Sequence, residues 1–214
     1  MTIETAIVAF TTFFATIGPF DVAAVYAALT PNARPYQRRI MAIRGIIISS
    51  VILITFALGG KFILSSLGIT LAALKVAGGI LLLLIGIDMV FARPSGSTTT
   101  TDAEETEAAT RHDISVFPLA TPLIAGPGAI GAVILLMANA EGDLAAQIVI
   151  ILALVLVLLI TLTLLLLATK VHDLLGVTGM QVISRIFGIM LTALAVQFMF
   201  NGIEQSGLLS GLHN

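Results

Sequence analysis

The stretch Ile114–Ala138 contains no charged residue and is long enough to cross a bilayer, yet it carries Pro118, Pro122 and Pro127, with Gly126, Gly128 and Gly131 around the last of them. Proline lacks a backbone donor and clashes with the preceding turn, so Gly126-Pro127-Gly128 interrupts any helix built here. In hydrocarbon each unpaired N–H or C=O is costly and must be satisfied by protein or by a wet cavity. Two readings follow: the interruption lines a cavity, or neighbouring helices repair a kink, since glycine and proline are commoner in transmembrane helices than in soluble ones.

Composition fixes the solvent. Of 214 residues, 58% are hydrophobic and 10% charged, with a mean hydropathy of +1.11. An ordinary soluble domain has about 25% charged residues, so lipid must surround this chain. The net charge of −2 says nothing about nucleic acid, but no basic cluster with interleaved aromatics is present, and no nucleic-acid partner is expected. Cysteine is absent, which excludes disulfides and thiolate metal sites. The N-terminal apolar run begins with Glu4 rather than a positive segment and reads as a first membrane span, not a cleaved signal.

Apolar runs bounded by charge or turn residues predict six spans, at about 5–28, 40–62, 70–91, 115–138, 145–169 and 181–203. Thr30–Arg39 is a basic, turn-forming connection, and Leu67-Gly-Ile-Thr70 a short turn. From Arg93 to Asp113 the composition becomes Ser/Thr-rich and then acidic, the pattern of a flexible polar linker. The chain thus divides into a first three-helix unit (1–92), the linker (93–113) and a second three-helix unit (114–214). The loops near 29–39, 92–114 and 170–180 share one face and carry Arg34, Arg38, Arg39, Arg93, Arg111 and Lys170. By the positive-inside rule that face is cytoplasmic and both termini lie outside.

The two units resemble each other. Gly18-Pro19 recurs as Gly126-Pro127, and Leu67-Gly-Ile-Thr70 as Leu175-Gly-Val-Thr178, both offset by 108 residues. Lys75, Gly78, Leu81, Leu84 and Met89 match Arg185, Gly188, Leu191, Leu194 and Met199 at an offset of 110. With an odd number of spans, the second unit enters from the opposite side. The predicted fold is therefore an all-α integral membrane protein, a 3+3 inverted repeat with helices 1 and 4 broken at Gly-Pro. Many secondary transporters have this architecture, with their sites at paired interrupted helices.

Candidate site residues cluster at those breaks. A restarted half-helix offers N–H groups and the positive end of its dipole, here at Gly128, Ala129 and Ile130, while Pro127 cannot donate. The freed carbonyls of Ile124 and Ala125, beside Gly126, suit an ammonium group or a cation. Gly18, Pro19, Phe20 and Asp21 repeat this logic in the first span, and Thr16 and Thr121 supply hydroxyls that can instead bond back one turn. Asp21 is an acid well inside an apolar span, suited to carrying a proton, meeting a substrate ammonium or capping the second half of its helix. Gln197 and Asn201 lie one turn apart, where they line a cavity or, slightly favoured, tie helices together. Lys75 and Arg185 are expected to snorkel to the two interfaces. His112, His172 and His213 lack metal-ligand spacing, and no nucleophile–base motif or phosphate-binding loop is present; neither an enzyme activity, a metal nor a cofactor is expected.

Pro118-Leu-Ala-Thr-Pro-Leu-Ile-Ala-Gly-Pro-Gly-Ala-Ile130, Leu67-Gly-Ile-Thr70 running into Lys75–Leu82, and Arg185–Met190 with Ala195-Val-Gln197 resemble the MarC family of bacterial and archaeal membrane proteins. The resemblance spans nearly all the chain outside 93–113. It implies a multi-pass inner-membrane protein similar to small neutral amino acid transporters, such as those for glycine and alanine, and grouped with lysine-exporter-like proteins. In the first span this chain reads Gly18-Pro-Phe-Asp21 where the family commonly reads Asn-Pro-x-Gly. The expectation is a secondary carrier of a small neutral amino acid with a proton or sodium as coupling ion. A gated channel or passive exporter of small metabolites, and a membrane scaffold without transport, are the alternatives. Homo-oligomerisation stays open.

Overall fold

The computed structural model describes residues 2–30, 33–92, 113–140 and 142–207. Residues 93–112, and with them most of the expected linker, Arg93, Arg111 and His112, lie outside the described residues, as does His213. The described chain is helical, without strands. Its elements are α1 (Thr2–Ile17), α2 (Pro19–Leu29), α3 (Pro35–Ser66), α4 (Leu71–Val90), α5 (Ser115–Ile124), α6 (Pro127–Asn139), α7 (Leu144–Leu166) and α8 (Ala168–Gln205).

The helix starts follow from local chemistry. Pro35 opens α3, where its missing N–H costs nothing, and the Gln37 side chain accepts from Arg34 N at 3.0 Å. Thr70 Oγ1 accepts from Ala73 N at 3.2 Å to cap α4, and Asp143 Oδ1 accepts from Ala146 N at 3.0 Å to cap α7. Gly68, at φ 67°, ends the α3 turn as a left-handed residue, with Ile69 N bonded to Leu64 O at 3.0 Å. α5 is irregular. Phe117 and Thr121, each before a proline, are extended, and the N–H groups of Leu119 and Ala125 reach five residues back to Ile114 O and Ala120 O.

Among the described residues five helical segments, α1 with α2, α3, α4, α7 and α8, are long and apolar enough to cross a membrane, or six if α5 and α6, bent by 54° to each other, form one span. The sequence-based spans agree with these to within a few residues, the last being Gln181–Gln205, but two helices run beyond their spans. α3 runs from Pro35 to Ser66 rather than 40–62, and α8 runs unbroken from Ala168, through the expected loop 170–180. Leu67–Thr70 turns, but its counterpart Leu175–Thr178 stays helical: a glycine inside a helix costs only about 1 kcal/mol, and Gly176 is not in the left-handed region that closes the first turn.

Packing is tightest between α4 and α8, which run antiparallel. Ala72, Gly79 and Gly86, seven residues apart, face Gly202, Ala195 and Gly188. A β-carbon on Gly79 would lie 2.8 Å from Ala195 O, one on Gly86 3.0 Å from Gly188 O, and one on Gly202 2.9 Å from Ala72 O. Small residues thus bring two backbones together where apolar burial gives no net drive in lipid. On the outer surface Leu58, Phe62, Leu152, Ile189 and Phe200 are exposed, as suits a lipid-facing wall. The start of α1 and the end of α8 lie at one end of the bundle, since Glu4 and Asn201 line the same cavity.

Candidate functional site

The first Gly-Pro sits where α1 gives way to α2. Gly18 adopts φ 61° and ψ 61°, a conformation glycine takes readily. Its N–H still bonds to Phe14 O at 3.0 Å, and its carbonyl accepts from Val22 N at 2.9 Å. Ile3–Ala27 remains one candidate span across this point. Asp21 lies in the first turn of α2, where a negative charge suits the helix dipole. No side chain caps α2; both Asp21 carboxylate oxygens instead accept from Ser184 Oγ of α8, at 3.1 and 3.0 Å. The cap expected of Asp21 is thus replaced by a tertiary bond. Around it Phe14 and Phe187 stack with ring centres 4.2 Å apart, and Phe20 meets Phe14 edge-on at 6.1 Å. These residues with Gly18, Pro19 and Met89 enclose a void of about 10 Å³, at the lower limit for one water.

The second Gly-Pro sits between α5 and α6. Ala125 and Gly126 are non-helical and buried, and Pro127 is exposed. The first bond of α6 runs from Ile130 N to Gly126 O at 3.0 Å, so Ile130 N–H is spent and only Gly128 and Ala129 precede the ladder. Gly128 packs against α1 and α4: a β-carbon there would lie 2.6 Å from Ile85 Cδ1 and 4.0 Å from Thr16 Cβ. The structure therefore brings Thr16, two residues before the first Gly-Pro, against Gly128, just after the second. Ile124 and Ala129 are buried in the same core.

The hydroxyls have local partners. Thr16 Oγ1 donates to Thr12 O at 2.8 Å, and Thr121 Oγ1 to Val116 O at 3.3 Å, five residues back. Thr12 Oγ1 is fully buried with no hydrogen-bond partner among the described residues. Gln197 lies elsewhere, in a cavity of about 380 Å³ between the ends of α1, α6, α7 and α8, where its amide donates to Asn201 Oδ1 at 2.8 Å. The expectation that this pair ties helices together is corrected: both belong to α8 and bond to each other. Lys75 does not snorkel freely; only 9% of it is exposed, with its Cβ against Gly202 of α8, whereas Arg185 is exposed. Ser184, Ile85 and Phe187 escaped the sequence reading. Ser184 was discoverable as a hydroxyl in a largely apolar run, but its partner was not.

At the opposite end, Arg44 Nη1 pairs with Asp113 Oδ2 at 3.1 Å, and Asp113 Oδ1 accepts from the Ser115 hydroxyl and N–H at 2.6 and 2.9 Å. The Ser115 hydroxyl first, then its N–H and Arg44, hold the Asp113 carboxyl below its ordinary range.

The chain is 42% identical over 205 residues, 95% of its length and 98% of the relative's, to a UPF0056 membrane protein of Methanocaldococcus jannaschii. UPF0056 membrane proteins of Aquifex aeolicus and Archaeoglobus fulgidus are 35% and 36% identical to it, each over 92% of this chain and 91% of the relative. No solved structure matches it. The family model described as MarC family integral membrane protein matches residues 3–206, and the chain belongs to that family.

Proposed function

We propose that this protein is a secondary carrier of a small polar solute, a neutral amino acid such as glycine or alanine, working by alternating access around Gly18-Pro19 and Gly126-Pro127. The observation that carries the reading is the nearness of Thr16 to Gly128, where a β-carbon would lie 4.0 Å from Thr16 Cβ in a buried region beside both Gly-Pro segments. The solute carboxylate meets Gly128 and Ala129 N–H at the positive end of α6. Its ammonium meets Asp21 or the carbonyls of Ile124 and Ala125. Ile85 covers Gly128, so loading requires that side chain to swing away.

The packing supports an inverted 3+3 repeat. α7 packs on α1 and α2 as α3 packs on α5 and α6; α8 packs on α2 as α4 packs on α6; and α4 and α8 pack on each other. A two-fold axis in the membrane plane relates such pairs. The end bearing Arg34, Arg38, Arg39 and Arg44 faces the cytoplasm of a bacterial or archaeal cell, leaving both chain ends outside. Asp21 is the residue suited to proton coupling, with sodium the alternative ion.

Proteoliposomes loaded with glycine or alanine should show saturable exchange of the labelled amino acid. Asp21→Asn should abolish flux driven by a proton gradient while the protein still elutes as a folded species. Lack of exchange with every small amino acid would refute the substrate, and single-channel currents in place of saturable counterflow would favour a pore.

A further inference from the structure

We infer that the cavity between the start of α3 and the α7–α8 junction, at the arginine-bearing end of the bundle, seats the headgroup of an anionic phospholipid. Its volume is about 460 Å³, within the roughly 300–1,000 Å³ of small-molecule sites. Arg38 and Arg39 line it together with Tyr26, Leu165 and Leu166, and no carboxylate among the described residues does.

The Arg38 guanidinium is held in place by buried partners. Its Nε donates to Thr30 O and to Thr30 Oγ1, both at 3.0 Å. Thr30 is 3% exposed, and its hydroxyl donates in turn to Tyr26 O at 2.7 Å. Tyr26, 1% exposed, closes the ring by donating its phenolic O–H to Arg38 O. An arginine anchored through Nε keeps its two Nη groups as a planar fork, the shape that matches two oxygens of one phosphate. Neither Nη has a partner among the described residues; Asp113 is taken by Arg44, and neither of those two lines the cavity. Arg39, exposed and equally unpaired among the described residues, adds a second charge at the rim. α3 begins on the same wall, at Pro35, so the positive end of its dipole adds to both.

Position selects a lipid over a soluble anion. Leu165 and Leu166 end α7, a 23-residue span without a charged residue, so the cavity sits where hydrocarbon gives way to headgroups. Leu152, Leu159 and Leu166, seven residues apart along α7, are all exposed and form a track on the lipid-facing wall that leads to the cavity. A hydrocarbon tail lying along that track brings its phosphate to the Arg38 fork. Basic pockets between spans on the cytoplasmic side hold anionic headgroups in this way.

The full chain in phosphatidylcholine vesicles should immobilise spin-labelled phosphatidylglycerol saturably, and more tightly than spin-labelled phosphatidylcholine by tenfold or more, roughly 1.4 kcal/mol. Arg38→Gln should remove most of that preference. Arg38→Lys keeps the charge but loses the fork, so it should lose most of the preference too, and it tests the geometry even where the glutamine variant does not fold. Arg34→Gln, at an exposed arginine of the same end outside the lining, should leave the preference unchanged. Inorganic phosphate at the same concentration should not displace the lipid. Equal binding of the two lipids, a preference kept in either Arg38 variant, a loss as large in Arg34→Gln, or displacement by inorganic phosphate would each overturn the lipid site. Binding is read without transport, so the result is independent of the carrier reading.

Discussion

Asp21 shows how a single residue changes meaning between sequence and structure. Its position after Gly18-Pro19 suggested a cap, a proton carrier or an ammonium partner, and both its carboxyl oxygens lie within hydrogen-bond distance of the Ser184 hydroxyl on the last helix. A side-chain hydrogen bond contributes about 0.5–1.5 kcal/mol net, so Ser184→Ala should lower the melting temperature in detergent. A melting curve unchanged by that substitution would mean the bond does not hold α2 to α8. Asp113 gives a pH-dependent case. Its carboxyl is held low in the folded chain, so its contribution is fully present above the unfolded value, near 3.9, and is lost as pH falls through the folded value. Thermal stability measured down to pH 3 should fall less steeply in Asp113→Asn than in the parent chain.

At the level of elements, the α4–α8 seam and the Gly18 junction make opposite demands on glycine. Gly86 needs absence of bulk, because a β-carbon would meet the Gly188 carbonyl oxygen at 3.0 Å, and Thr192 as well. Gly86→Ala should therefore destabilise the chain by about 1–3 kcal/mol. Gly59→Ala, with nothing within 4 Å of the added carbon, should be neutral or stabilising by up to about 1 kcal/mol. Equal melting shifts for the two would show that the seam is looser than it looks. Gly18 instead needs a left-handed backbone, which costs another residue about 1–2 kcal/mol. Gly18→Ala should lower the melting temperature accordingly; a chain that melts as before would show that the junction does not require this conformation.

For the whole molecule, the helix ends set a topology that single cysteines can read, since the chain has none of its own. Ile3→Cys and Gln205→Cys should react with an impermeant maleimide from one side of the membrane and Arg39→Cys from the other. Reaction of all three from the same side would contradict both the span count and the carrier reading built on it. The cavity beside Gln197 and the small void beside Asp21 differ about forty-fold in volume, and the larger lies at the end bearing Glu4 and Asn201. In the carrier reading, exchange requires the packing of Phe14, Phe187 and Ile85 around the two Gly-Pro segments to rearrange.

The helical class, the positions of most spans, and the family resemblance carried by Pro118–Ile130 were legible from the sequence alone. The reason is local: in lipid each backbone group must be bonded within its own segment, so hydropathy and proline mark the helices one by one. Tertiary structure decided that α8 continues through Leu175–Thr178, that Lys75 is covered, that Ser184 reaches Asp21, and that Gln197 opens on a separate cavity. Those outcomes depend on which faces of distant helices meet, and that is set by side-chain shape across the bundle, as where Gly86 meets Gly188, rather than by any pattern along one segment.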